Sequence, residues 1–266
     1  MVKIDNMKIL ITGANGPLGS RVAMHLAGPG RTVIGLSRKS VPANFGGEWR
    51  IVNLLNADAV KTCFADVQTV VHCASNVNNP DEDVQAVQNL IAASKNTGFH
   101  LVYVSICGIE QAAAVLEYYA MKIRNEETLR ASGVPHTIVR ISQFHSFLSM
   151  LLSYQVNGDR LEIPRLTLQP IDTNFAAQEL ASLALLPPEG RSYNVHGPGT
   201  LDAAQLGNAW SKARKLSTVT VTEQGTGLLQ AFASLKPVQG RTGGVTWSEW
   251  LRRNRPEDNP FGEKQP

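Results

Sequence analysis

The sequence predicts an α/β protein, a doubly wound parallel sheet followed by a smaller C-terminal α/β lobe. Three observations carry that expectation. Six short apolar runs, "KILIT", "TVIGLS", "WRIVNL", "TVVHCAS", "HLVYVS" and "HTIVRI", are mostly separated by helical patterns. A glycine-rich turn follows the first run directly, and the rhythm changes after about residue 155 to short strands, Pro-rich turns and helices. Strands apolar on both faces and alternating with helices are buried between two helical layers, which requires a parallel sheet.

Taken in order, "ILITGANGPLGSRVAMHL" reads as strand, turn and amphipathic helix, with Gly13, Gly16 and Gly19 spaced by three. Gly13 allows the tight turn, Gly16 lets backbone amides approach a pyrophosphate, and Gly19 lets helix and strand pack closely. The helix N-terminus offers N–H groups and a positive dipole end to phosphates, and Pro17 suits its first turn. Asn15, Pro17 and Leu18 are thus expected beside the nucleotide together with the glycines. The second strand ends in Ser37, Arg38 and Lys39 with no carboxylate. An acid there would accept from a ribose 2′-OH, whereas arginine matches a 2′-phosphate, so NADP(H) is expected over NAD(H), unless Arg38 is a solvated strand-end residue.

The fifth strand ends in Ser105, where active groups of such folds collect. Thirteen residues on, "EYYAMKIRNEETL" opens a helix from about Leu116 to Ala131. Tyr118 and Lys122, four apart, share a face at ~5 to 6 Å between Cβ atoms, while Tyr119 points elsewhere. A phenol with pKa ~10 donates a proton poorly at neutral pH unless a cation stabilises its phenolate, a use for Lys122. The alternative is a solvated face on which Lys122, Glu126, Glu127 and Arg130 form ordinary pairs. The uncharged stretch from Ile141 to Gly158 is too polar for a membrane span and reads as a helix bordering a pocket. Later helices are expected near 174 to 186 and 202 to 215. Residues 1–155 are read as the nucleotide-binding domain and 156–266 as the smaller lobe with a polar tail.

The 266 residues carry a net charge of +3 with 43% hydrophobic and 18% charged residues, which excludes fibrous and disordered classes and gives no basis for nucleic-acid binding. The cluster Arg252, Arg253 and Arg255 reads as a solvated terminus. Cys63, Cys73 and Cys107 lack CxxC spacing, and no secretory segment is read before "MKILITG", so reduced thiols in a cytoplasmic protein are expected. No metal site is expected, because the histidines are scattered without ligand spacing. His145 reads either as a substrate contact or as a partly buried histidine at a helix start. No GxSxG elbow is present, which disfavours a hydrolase.

The sequence resembles the short-chain dehydrogenase/reductase superfamily, and within it the atypical NmrA-like branch, in "TGANGPLG", "LVYVSICG", "YYAMKIRNEETLRASGVPHTIVRISQF", "QPIDTNFAAQELA" and "YNVHGPGTLDAAQL". The resemblance implies a Rossmann fold, NAD(P) binding and hydride transfer to a small carbonyl, enone or quinone-like substrate. It implies roles for Ser105 in placing the substrate, Tyr118 as acid/base, and Lys122 in lowering the tyrosine pKa and holding the nicotinamide ribose. It further places Cys73, Ala74 and Ser75 in the cofactor groove, and Phe144 beside the nicotinamide or substrate. Asn53, next to Leu54, stands where the superfamily often has an aspartate near the adenine; Asn174 stands where the branch often has an acid, which affects a cap rather than the chemistry. Two other readings remain: a non-catalytic NADP(H)-loaded redox sensor acting through a protein partner, and a sugar-nucleotide epimerase or dehydratase. Neither substrate identity nor assembly into homo-oligomers is readable from the chain.

Overall fold

In the computed structural model, which describes residues 6–43, 45–224 and 227–254, the expected alternation is present. The first half runs β1 (Met7–Thr12), α1 (Pro17–Leu26), β2 (Arg31–Ser37), β3 (Glu48–Ile51), α2 (Ala57–Cys63), β4 (Thr69–His72), α3 (Pro80–Thr97), β5 (His100–Ile106), α4 (Ile109–Ala112), α5 (Glu117–Ala131) and β6 (His136–Ile141). Then follow α6 (His145–Ser153), β7 (Val156–Asn157), β8 (Arg160–Pro164), β9 (Thr167–Leu168), α7 (Thr173–Ala184), β10 (Ser192–His196), β11 (Leu201–Asp202), α8 (Ala203–Arg214), β12 (Thr218–Thr222), α9 (Gly227–Phe232), β13 (Arg241–Thr242) and α10 (Trp247–Arg253). The segment beyond Asn254, which holds Arg255 and the polar tail, lies outside the described residues.

The large sheet has the order β13-β10-β6-β5-β4-β1-β2-β3, and every pairing in it is parallel. The doubly wound expectation is borne out. Alternation along the strands distributes apolar side chains to both faces. Ile9, Ile11, Val71, Val102 and Val139 pack against α1 and α7 on one side, while Leu10, Ile34, Val70, Leu101 and Ile138 pack against α3 and α5 on the other. The strand order reverses between β1 and β4, and this opens a crevice at their carboxyl ends.

Local chemistry sets the helix ends that frame the crevice. Pro17 stands at the start of α1 and Pro80 at the start of α3. Gly98, with φ of 77°, closes α3 in the left-handed conformation that favours glycine.

After residue 155 the chain does two things. It extends the large sheet through β10 and β13 and covers it with α7. It also builds a third apolar cluster, in which Leu161, Ile163, Leu206, Trp210, Phe232 and Trp247 join Leu148 and Leu152 of α6, around the small sheet β12-β8-β7. Asp202 caps α8 reciprocally with Gln205, and Thr246 caps α10 with Glu249. Asp172 caps α7 by accepting from the Phe175 N–H at 3.1 Å, so this helix start is capped without an acid at Asn174, whose Oδ1 lies 3.0 Å from His25 Nε2. Among the described residues no helix is long and apolar enough to cross a membrane.

Candidate active site

The β1–α1 turn, the end of β2 and the segments after β3 and β4 enclose a groove of about 460 Å³. Its walls include Gly13, Asn15, Gly16 and Pro17 from the turn, Ser37 and Arg38 from β2, Asn53 and Leu54, and Cys73, Ala74 and Ser75. Gly13 has φ of +66°, and a Cβ there would stand 2.9 Å from the Ala74 backbone nitrogen. A Cβ on Gly19 would stand 2.4 Å from the Gly13 carbonyl oxygen. Real side chains do not fit at either place, so the glycines are what allow the turn to lie flat between strand and helix. No side chain caps the start of α1, so no side chain occupies the free amides of its first turn. Arg38 is exposed at the groove edge with no ion pair among the described residues. Asn53 turns its Oδ1 to the Leu55 N–H at 3.1 Å. These residues fit a dinucleotide phosphate bridge and an adenosine end.

Of the residues expected to touch the cofactor, Leu18 and Lys122 line a second space instead, and Gly19 packs beneath the turn. This second cavity, about 320 Å³, is continuous with the groove through Pro17, His72, Cys73, Ala74 and Ser75. Its other walls are mainly apolar and come from distant segments: Val77, Ile106, Tyr119, Phe144 and Phe147. Ser105, Tyr118 and Lys122 all reach it.

Within that cavity the geometry is specific. The Tyr118 hydroxyl is 2.8 Å from Ser75 Oγ, and Ser75 in turn donates to Asp83 Oδ2. Lys122 Nζ donates to the Val104 carbonyl at 3.3 Å, lies 4.0 Å from Asp83 Oδ2, and stands over the rings of Tyr103 and Tyr118 at 5.0 and 5.5 Å. Ser105 is buried, and its Oγ has no hydrogen-bond partner among the described residues. Register places Ser105 beside Arg140, on the face toward α5, where the Glu126 carboxylate is its charged neighbour.

Burial works against the charge on Lys122, but Tyr103, Tyr118 and Asp83 outweigh it and push the ammonium pKa upward; of these neighbours only Asp83 is anionic at neutral pH. His72 lies beneath both spaces. Burial, with Lys122 adding, lowers its pKa to about 3, so the ring is neutral. Its Nδ1 is 2.7 Å from Thr12 Oγ1, which also accepts from the Ala74 N–H at 3.2 Å. Burial pushes the Cys73 thiol up to about 12, which keeps it protonated and not nucleophilic at neutral pH. Cys63, Cys73 and Cys107 are all free.

Two expectations give way. His145 does not line the cavity. It is buried, with Nε2 3.1 Å from the Val245 carbonyl and its ring against Trp247 and Trp250, which makes it the helix-start histidine of the two readings. The face of α5 that holds Lys122 is not solvated: Lys122 is 4% exposed and Glu126 0%. Glu126 does form the expected pair with Arg130, at 2.6 Å, and it also binds Arg140 at 2.6 Å, which ties α5 to β6.

The sequence reading passed over Asp83 and His72, and it did not single out Gln143 and Phe147 within the stretch it expected to border a pocket. Asp83 had a visible signal, the acidic run after Asn79-Pro80 that marks a helix start, but nothing in that run distinguishes a buried acid from the exposed ones beside it.

A family described as NAD(P)H-binding matches residues 13–147. The chain is 28% identical over 238 residues, 84% of its length and 81% of the relative's, to a (4-alkanoyl-5-oxo-2,5-dihydrofuran-3-yl)methyl phosphate reductase of Streptomyces griseus. Its fold is similar to that of an NADPH-dependent quinone oxidoreductase of Escherichia coli in complex with NADPH (TM-score 0.77, 18% identity, 92% of this chain and 99% of that one). It is also similar to a triphenylmethane reductase of Citrobacter in complex with NADP(H) (TM-score 0.69, 20% identity, 82% and 80%). A nucleoside-diphosphate-sugar epimerase of Staphylococcus aureus has the same fold (TM-score 0.74, 20% identity, 92% and 100%).

Proposed function

The chain belongs to the NAD(P)H-binding family, and from that premise we propose that it is an NADPH-dependent reductase of small, neutral, largely apolar carbonyl, enone or quinone-like acceptors. The observation that carries this reading is the continuity of the two spaces. A groove shaped for a dinucleotide opens into an apolar cavity on whose wall stand a tyrosine hydroxyl and a buried lysine.

NADPH, when bound, supplies the hydride. The chain's own residues do the rest. Gly13, Gly16 and the start of α1 hold the phosphates, and Arg38 meets a 2′-phosphate. Ser105, on the cavity wall beside Glu126, orients the acceptor oxygen. Tyr118 gives that oxygen its proton, and the nearby Lys122 ammonium stabilises the phenolate left behind. Val77, Ile106, Phe144 and Phe147 exclude water and select apolar acceptors.

Lys122 is the one cationic side chain among the described residues lining the cavity, and it is already engaged by Asp83 and Val104. A phosphate ester, such as the substrate named for the Streptomyces relative, would find no free cation there. The reading is tested by following net NADPH oxidation against quinones, enones, ketones and aldehydes, with phosphorylated analogues alongside. Turnover of uncharged acceptors above phosphorylated ones supports it. Tight NADPH binding without net oxidation by any acceptor would favour a sensor or an epimerase.

A further inference from the structure

Asp83 belongs to no motif read in the sequence, yet it joins the two spaces. It sits in the first turn of α3 and is 5% exposed. An acid in a helix's first turn is ordinarily a solvated partner of the dipole. This one is turned away from solvent and bonded outside its own helix: Oδ1 accepts the Asn76 N–H at 2.7 Å, Oδ2 accepts the Ser75 hydroxyl, and Lys122 Nζ lies 4.0 Å off. Burying a carboxylate is costly unless it is paired and hydrogen-bonded, and two of its three partners here, Ser75 and Lys122, also touch Tyr118.

The direction of the hydrogen bonds follows from the chemistry of the groups. An ionised carboxylate only accepts, so the Ser75 O–H points at Asp83. The serine's lone pairs then face Tyr118 at 2.8 Å, and the phenol is the donor. We propose that Asp83 is a positioning residue which, through Ser75, holds Tyr118 as the protonated donor and counters the pull of Lys122 toward phenolate. The inference rests on the reductase reading, since it assigns Tyr118 a proton to give.

The groups facing this hydroxyl can be counted by element. Lys122 and Tyr119 come from α5, Tyr103 from β5, the neutral His72 from the end of β4 with the protonated Cys73 just after it, and Asp83 and Glu82 from α3. Glu82 is occupied by the side-chain amides of Asn76 and Asn79 at 2.9 and 3.0 Å. Lys122 and Asp83 are therefore the two opposed charges closest to Tyr118.

The experiment is the pH profile of kcat at saturating NADPH and an apolar enone, for wild type, Asp83→Asn, Ser75→Ala and Tyr118→Phe, with NADPH affinity measured for each. With Asp83 neutralised, the Lys122 charge is unopposed, and the fall of rate at alkaline pH moves to lower pH by about one unit. Ser75→Ala keeps the charge, so its limb stays near wild type while kcat falls roughly tenfold from a loosened phenol. An Asp83→Asn profile that superimposes on wild type overturns the inference and leaves the reductase reading intact. If Asp83→Asn does not bind NADPH, Ser75→Ala decides, and an unchanged kcat overturns the inference. Wild-type turnover in Tyr118→Phe overturns the reading and the inference together.

Discussion

The cofactor groove and the substrate cavity share five residues and a wall, yet they are built by different means. The groove is shaped largely by backbone: a turn in which Gly13 and Gly19 stand where no side chain fits, and strand ends aligned by the sheet. The cavity is made of side chains contributed by α1, β5, α5, β6, α6 and the segments after β4 and before α7. Where backbone does the work, few sequences satisfy the geometry. Where side chains do it, many would.

That difference makes its own predictions, and the largest concerns the turn. Gly19→Val places atoms where the Gly13 carbonyl already stands, and the clash cannot be relieved by a rotamer. NADPH binding should weaken more than about 100-fold, as read by fluorescence titration, because the backbone that lines the phosphates must shift. A variant that binds NADPH within threefold of wild type would show that the turn does not shape the groove.

Next in size is Arg38→Ala. Removing a charge-assisted contact to a 2′-phosphate should cost about 1.5 to 3 kcal/mol of NADPH affinity, a ten- to hundredfold loss, and leave NADH binding nearly unchanged. Equal losses for the two nucleotides would mean that Arg38 does not read the phosphate.

On the cavity side, Phe147→Ala should leave NADPH affinity within twofold while raising KM for apolar acceptors five- to tenfold, since only the apolar wall is cut back. A larger effect on NADPH than on the acceptor would dissolve the distinction between the two halves.

A last prediction concerns the buried histidines of the interior. Burial lowers the pKa of His72 to about 3, of His100 to about 4 and of His145 to about 4. In the unfolded chain histidine titrates near ~6.5. Between that pH and about 4, the unfolded state binds protons that the folded state does not, so stability is full above 6.5 and declines on acidification. The melting temperature should therefore drop steadily across that window. A flat profile would mean that these rings are not held neutral.

How much of this was legible follows the same division. The first six strands, the parallel order and the glycine turn from Gly13 to Gly19 could be read because their periods and glycines are imposed by the backbone, whereas Asn53 and Cys73 to Ser75 were reached only through the family resemblance. The role of the Tyr118–Lys122 spacing could be read as a possibility, but the burial of Lys122 and Glu126 could not, since α5 carries charged residues on its packed side as well as its wet one. His145 looked like a site residue because it follows Phe144, whereas the two tryptophans that enclose it lie about a hundred residues later in the sequence. Asp83 was hidden for a similar reason. Its neighbours Asp81 and Glu82 have the same chemistry, and only the fold turns one acid of the three inward to Ser75.

The most direct test of the account is a paired measurement on wild type and Tyr118→Phe: NADPH affinity, and the rate of NADPH oxidation with the best apolar acceptor. Loss of one hydroxyl that gives a proton predicts unchanged affinity and a rate lower by about 10²- to 10⁴-fold. A Tyr118→Phe protein that oxidises NADPH at the wild-type rate would contradict the account, because the cavity wall would then hold a tyrosine and a lysine without using them.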